Sequence, residues 1–83
     1  MRDNTIYYLR HDKGRHSTVF AGTFDHLKRC TFQGVLQEIK DRSKKPFFWP
    51  KDIQQLVRTL NYGTTILNEP SDFFTLTTKE MAD

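Results

Sequence analysis

Two apolar stripes, each with the spacing of one helical face, constrain this sequence more than any other feature. The members of each stripe fall at positions i, i+3, i+4 and i+7, which line up along one side of an α-helix. The first stripe consists of Phe32, Val35, Leu36 and Ile39, and the second of Ile53, Leu56, Val57 and Leu60. The chain therefore predicts two amphipathic helices whose apolar faces are buried.

The ends of both helices carry recognisable signals. Thr31 can cap the first helix, in which case Cys30 and Val35 occupy the two positions of a hydrophobic staple. Asp52, with a glutamine three positions later, resembles a capping box at the start of the second helix, and Gly63 stands where a glycine commonly ends one. These assignments predict that Cys30 is a buried, structural thiol.

Stretches rich in β-forming residues flank the helical region. Residues 5–9 and 17–23 predict a hairpin whose polar turn, 10–16, contains Gly14. Residues 24–30 fit either a short helical turn or a loop.

The end of the chain predicts a second hairpin. Residues 64–67 and 73–78 are its strands, and 68–72 is its turn. The resulting order, ββααββ, predicts an α+β fold in which a small antiparallel sheet of two hairpins packs against two helices.

Length and composition predict one soluble domain spanning residues 1–83. The chain has 83 residues, of which 13% are aromatic, and such side chains can supply much of a small core. Its single cysteine excludes an intramolecular disulfide, and neither a signal peptide nor a long apolar run is visible. We therefore expect a cytoplasmic protein that does not associate with membranes.

Charge is distributed unevenly along the chain. The net charge is +3, but residues 1–51 carry eleven bases and five acids, whereas residues 52–83 carry two bases and five acids. Basic character is densest at 40–51, which holds five bases and one acid. This segment is the main candidate binding site, and its key residues are Lys44, Lys45, Phe47, Phe48, Trp49 and Lys51.

Three interpretations of the aromatic triplet at 47–49 remain open. The three rings can fill the core between the helices while the lysines stay solvated. They can instead anchor a protein interface, because Trp and Phe are typical anchors there. The same mixture of bases and rings also suits single-stranded nucleic acid, which binds through phosphate contacts and base stacking.

A smaller basic cluster lies at the tip of the first predicted hairpin. Arg10, Lys13 and Arg15 are its bases, and a basic β-ribbon can enter a DNA groove. A solvated turn that is merely kept soluble by its charges explains the same pattern.

The sequence predicts no catalytic or metal site and no cofactor. Glycine-rich nucleotide-binding loops, nucleophile elbows and zincin motifs are all missing from it. His26 and Cys30 would share a helical face and could join His11 and His16 around zinc. These four are all the His and Cys residues of the chain, however, and they lack the close spacing typical of zinc ligands. We expect a chance arrangement and a protein that is not an enzyme.

The leading hypothesis is a small binding protein that modulates a macromolecular partner, as the inhibitors and adaptors encoded by phages and mobile elements do. Its partner would be an acidic protein surface rather than a small molecule. The alternative is a nucleic-acid-binding protein that uses 40–51 together with the hairpin tip at 10–16. A structural subunit of a larger assembly is the third hypothesis.

Overall fold

A computed structural model describes residues 4–68 and 71–77 of the chain. Its strands and helices are β1 Tyr7–Lys13, β2 His16–Gly22, α1 Phe24–His26, α2 Gln33–Arg42, α3 Ile53–Ile66 and β3 Asp72–Thr77, with a π-helical turn, Leu27–Thr31, between α1 and α2. Within these ranges no helix is both long enough and apolar enough to cross a bilayer. A three-stranded antiparallel sheet with three helices confirms the predicted α+β class.

β1 and β2 form the predicted hairpin with a tighter turn than the sequence indicates. The strands pair from Tyr7 opposite Gly22 to Lys13 opposite His16. Gly14 has a φ of 59° and begins the two-residue turn, as glycine does in a type II′ hairpin. The predicted turn at 10–16 is therefore too long, because polar residues can remain in a strand when they face solvent.

β1 is the central strand of the sheet, with β2 on one side and β3 on the other. Alternate side chains of β1 point to opposite faces. Leu9 is fully buried on the face that packs against the helices. Arg10 lies in the middle of β1 on the opposite face, rather than at the hairpin tip.

The second predicted hairpin is wrong. Residues 64–67 do not form a strand; α3 continues to Ile66, and the described residues give the order ββαααβ. Gly63 is buried inside α3 instead of ending it, and the helix ends before Asn68, whose φ of 61° suits the position after a C-cap. Packing of α3 thus overrides the strand propensity of the Thr64-Thr65-Ile66 run. The return strand is confirmed as β3, whereas part of the predicted turn and Thr78 lie outside the described residues.

The start of α2 also differs from the prediction. Thr31 belongs to the π-helical turn, and Phe32 takes the N-cap position without a side-chain cap. The Phe32 side chain is buried in the core, with only 4% of the residue exposed, so packing rather than a capping hydroxyl positions this start. Cys30 and Val35 are both exposed, so the predicted staple is absent and the Cys30 thiol is not buried.

The start of α3 is confirmed in its chemistry. Asp52 Oδ1 accepts a hydrogen bond of 2.8 Å from the backbone N–H of Gln55. The Gln55 side chain reaches back and accepts a bond of 3.0 Å from the N–H of Lys51. These two reciprocal hydrogen bonds satisfy two backbone N–H donors at the helix N-terminus.

The core lies between the sheet and the helices and contains most of both predicted stripes. Its buried residues are Leu9, Leu27, Phe32, Leu36, Ile39, Ile53, Leu56, Leu60 and Phe74. The ring of Phe32 packs edge to face against both Phe20 and Phe74, which joins α2 to the two outer strands of the sheet.

α2 and α3 pack directly against each other at Gly63. A Cβ atom placed on this glycine would overlap the Ile39 side chain, with Cγ1 only 2.7 Å away. Ile39 is fully buried and cannot move aside into solvent. Gly63 is therefore required by the packing of the two helices, not by the end of one.

We expect Gly63→Ala to lower the free energy of unfolding. Overpacking costs about 1–3 kcal/mol, which exceeds the gain of at most about 1 kcal/mol from removing a helical glycine. Gly34→Ala is the matched control, because open space surrounds Gly34 in α2 and the same replacement should not destabilise there. Urea unfolding measures both effects.

A second substitution identifies the cause. Ile39→Val removes the Cδ1 atom that meets Gly63. It should therefore lower the free energy of unfolding less in the Gly63→Ala background than in the wild type. Equal costs in both backgrounds would contradict a steric contact between these two positions.

Candidate binding surface

The segment 46–50, which has a proline at each end, divides its three aromatic side chains between core and solvent. Phe47 and Trp49 are partly buried, pack against the core and meet edge to face, with ring centroids 5.4 Å apart. Pro50 is fully buried, whereas Phe48 is 78% exposed. Neighbouring side chains of an extended chain point to opposite sides, and proline favours that conformation in the residue before it. Phe48 is thus directed outward by neighbours that are anchored inward.

Two clefts that share Lys45 and Tyr62 lie in this region, and Phe48 lines the first of them. The first, of about 280 Å³, is lined by Ser43, Lys45, Pro46, Phe47, Phe48, Arg58, Thr59 and Tyr62. The second, of about 390 Å³, is lined by Arg42, Lys44, Lys45, Tyr62 and Ile66. The residues that give the two clefts their charge and their exposed rings define a region that we call the Phe48 surface: Arg42, Lys44, Lys45, Phe48, Arg58 and Tyr62.

The charge of the Phe48 surface is positive and mostly uncompensated. Arg42 forms an exposed ion pair with Glu38, with Nη2 and Oε2 3.1 Å apart. Within residues 4–68 and 71–77, Lys44, Lys45 and Arg58 have no carboxylate at ion-pair distance. Three cations thus surround exposed aromatic rings, an arrangement suited to an anionic and partly apolar ligand.

The six residues predicted at 44–51 have different positions in the fold. Lys44, Lys45 and Phe48 belong to the Phe48 surface, and Phe47 also lines its first cleft. Trp49 supports the segment from the core side. The sixth residue, Lys51, is exposed at the start of α3 and lines neither cleft.

Two residues of the Phe48 surface, Arg58 and Tyr62, lie outside the predicted segment 40–51, and Arg42 lies inside that segment but was not among its predicted key residues. Tyr62 is 38% exposed, and its hydroxyl lies 3.5 Å from Ser43 Oγ. Arg58 and Tyr62 are four residues apart on α3, away from its apolar stripe. Their spacing shows that they share a helical face, but only the fold shows that the segment 43–48 crosses that face.

A separate group of basic residues lies around Trp49. A cleft of about 280 Å³ is lined by Lys28, Arg29, Gln33 and Trp49. Lys40 Nζ lies 6.0 Å from the centre of a Trp49 ring, at the outer limit of a cation–π contact. Arg29 is paired with Asp25 at 3.1 Å, which reduces the charge available to a ligand.

The bases predicted at the hairpin tip do not form one cluster. Lys13 and Arg15 are exposed around the turn, whereas Arg10 Nε donates to Asp12 Oδ1 at 2.8 Å within β1. Hydrogen bonds from Ser17 and then from Arg10 hold the pKa of Asp12 below its ordinary value. Arg10 is therefore neutralised by a neighbour that stays ionised at physiological pH.

The histidines and the cysteine lie in separate environments. His11 stacks on Phe74 with ring centroids 4.2 Å apart, and its Nε2 atom lies 3.5 Å from Oδ2 of the buried Asp72. His16, His26 and Cys30 are exposed. In the described part of the chain, no three His, Cys, Asp or Glu side chains are grouped so that they could hold a metal ion.

Comparisons of the chain with protein-family models, with curated proteins and with solved structures find no match. The Phe48 surface therefore has to be interpreted from its own chemistry. Its distinguishing property is an aromatic side chain that the fold exposes while anchoring both neighbours.

Substitution of Trp49 and of Phe48 distinguishes the ring that stabilises the fold from the ring that is exposed to solvent. We expect Trp49→Ala to reduce the free energy of unfolding by roughly 2–4 kcal/mol, because it removes a large ring packed on the core. Phe48→Ala should change it by less than about 0.5 kcal/mol, because that ring is mostly in solvent. Chemical denaturation compares the two variants; similar losses would show that Phe48 is a core residue in solution.

Proposed function

We propose that the protein is a non-enzymatic binding protein that docks the Phe48 surface on an acidic surface of a protein partner. Phe48 is the apolar anchor and enters a pocket of the partner. Lys45 and Arg58, which line the same cleft, and Lys44 in the neighbouring cleft face acidic groups of the partner. By occupying that region of the partner, the protein acts as a small inhibitor or adaptor.

The observation that carries this proposal is the exposure of Phe48 between anchored neighbours. A phenylalanine that is 78% exposed contributes little to folding. Its neighbours Phe47 and Trp49 nevertheless pack against the core, and Pro50 is fully buried, so the segment is anchored on both sides of the ring. Presenting the ring in a fixed position reduces the ordering cost on association, which is how preorganised anchors raise affinity.

The surrounding charges support an acidic partner. Exposed lysines and arginines speed the encounter with an oppositely charged surface and disfavour basic partners. Because Lys44, Lys45 and Arg58 lack carboxylate neighbours within the described ranges, their charge is available to a ligand. Association should therefore slow as the salt concentration rises.

Nucleic acid is the second candidate partner, favoured by the bases around Trp49. Lys28, Arg29 and Lys40 could contact phosphates while a nucleobase approaches the indole. Partial burial of Trp49 and the pairing of Arg29 with Asp25 make this stacking platform less accessible than Phe48. Steep loss of affinity for a generic oligonucleotide with added salt would favour this candidate.

We expect Phe48→Ala to weaken partner binding at least about 30-fold, equivalent to roughly 2 kcal/mol. The partner is first isolated by capture on the wild-type protein with nuclease present, and the affinities of purified variants are then measured by titration. Phe73→Ala is the matched control, since Phe73 is 55% exposed on the sheet and lies outside the Phe48 surface. Unchanged affinity of Phe48→Ala would refute the proposal.

Charge reversal tests the electrostatic part separately. In the double variant Lys44→Glu/Lys45→Glu, the association rate constant should fall by a larger factor than the dissociation rate constant changes. The association rate of this variant should also depend less on the salt concentration. Lys13→Glu combined with Arg15→Glu makes the same change of charge at the hairpin turn and should have the smaller effect. Equal effects would indicate that only net charge matters.

A further inference from the structure

The two edges of the sheet differ in how their backbone groups are occupied. β2 and β3 are both edge strands, because β1 lies between them. In an antiparallel ladder, alternate residues of an edge strand direct their N–H and C=O away from the sheet. Such groups are a template for another strand unless the protein covers or disrupts them.

The β3 edge is occupied by a side chain from α3. Asn61 Oδ1 accepts from the N–H of Phe74 at 2.7 Å, and Asn61 Nδ2 donates to the Phe74 carbonyl at 2.9 Å. The amide thus makes both hydrogen bonds that a neighbouring strand would make at Phe74. This contact prevents a further strand from pairing at the middle of β3.

In the described part of the chain, the β2 edge has no equivalent side-chain cover. The two-residue turn makes Lys13 and His16 a hydrogen-bonded pair, so the backbone groups of Ser17, Val19 and Ala21 point outward. Among residues 4–68 and 71–77, nothing contributes a hydrogen bond to these outward groups. β2 also lacks proline, lysine and acidic residues, and its register with β1 runs without a bulge from His16 to Gly22.

We propose that β2 is a self-association edge, on which β2 of a second copy of this chain pairs antiparallel to form a continuous six-stranded sheet. With the twofold axis at Val19, each Ser17 lies opposite Ala21 of the other copy. The outward groups of three residues on each strand then exchange about six backbone hydrogen bonds. This inference is independent of the function proposed for the Phe48 surface.

The sequence of β2 favours a second copy as the occupant. Antiparallel pairing about Val19 brings together Val19 with Val19, Ser17 with Ala21 and Thr18 with Phe20, which include β-branched and aromatic residues. None of these pairs juxtaposes like charges, which would oppose self-pairing. An isologous contact of this kind closes after two copies, because the remaining outer edges are the β3 edges occupied by Asn61.

Residue-resolved amide exchange tests the proposal on the wild-type protein. Between about 10 µM and about 1 mM protein, the N–H groups of Ser17, Val19 and Ala21 should gain protection by at least about tenfold. The N–H groups of Thr18 and Phe20 already bond to β1 and should change much less. Concentration-independent exchange at all five positions, or an equal gain at all five, would overturn the proposal.

Val19→Pro tests the edge by sedimentation equilibrium. It removes one outward N–H without removing a bond to β1, and should weaken dimerisation at least tenfold, to about a tenth of the wild-type affinity or less. Val19→Thr retains both the N–H and the branched side chain and should dimerise as the wild type does. A monomeric wild type, or a dimer unaffected by Val19→Pro, would contradict the proposal.

If Val19→Pro fails to fold, the amide exchange of the wild type tests the proposal alone, because protection should then rise at Ser17, Val19 and Ala21 and not at Thr18 and Phe20. Phe48→Ala should leave self-association unchanged, so failure of the dimer and failure of the proposed partner binding are distinguishable; loss of the dimer in Phe48→Ala would place self-association on the Phe48 surface instead.

Discussion

The contact of Ile39 with Gly63 determines how the helical half of this protein is arranged. Ile39 lies near the end of α2 and Gly63 near the end of α3, so α2 ends beside the later part of α3. The chain must then return along α3 to reach its start at Ile53, a distance of about 15 Å for ten helical residues. The connection 43–52 therefore runs over the outer side of α3, where Ser43 meets Tyr62 and the segment 45–48 lies beside Arg58.

This path explains why one segment serves both the core and the surface. Phe47, Trp49 and Pro50 pack on the core side of the connection, and Phe48 is left on its solvent side. The residues that stabilise the segment are thus separate from the ring that we propose contacts a partner. A binding residue of this kind can be substituted at little cost in stability, whereas its neighbours cannot.

The helical stripes were predictable because a helix with one buried face requires apolar residues at regular spacing in the sequence. Leu36, Ile39, Leu56 and Leu60 are buried as their periodicity indicates. Residues 64–67 were assigned to a strand because β-branched residues dominate there, but α3 continues to Ile66, whose side chain packs against the core. A glycine required for close packing has the same appearance in a sequence as one that ends a helix.

The candidate site was predicted in part for similar reasons. The basic and aromatic composition of 40–51 indicated the segment that contributes Phe48 to the exposed surface, but the sequence left core and surface positions of its rings open. Only the path of the connection shows that Phe47 and Trp49 face inward, that Phe48 faces outward, and that Arg58 and Tyr62 complete the surface. The occupied β3 edge was likewise invisible, because Asn61 and Phe74 are brought together by tertiary packing.

Phe48 is exposed on a segment that its neighbours hold in place. Backbone ¹⁵N relaxation of the free protein tests this arrangement most directly, with Phe47, Phe48 and Trp49 compared with α3. We expect order parameters near 0.85 at all three positions, the value typical of a rigid backbone. Values below about 0.6 at Phe48 would contradict the account, because an exposed ring on a flexible loop is not a preorganised anchor.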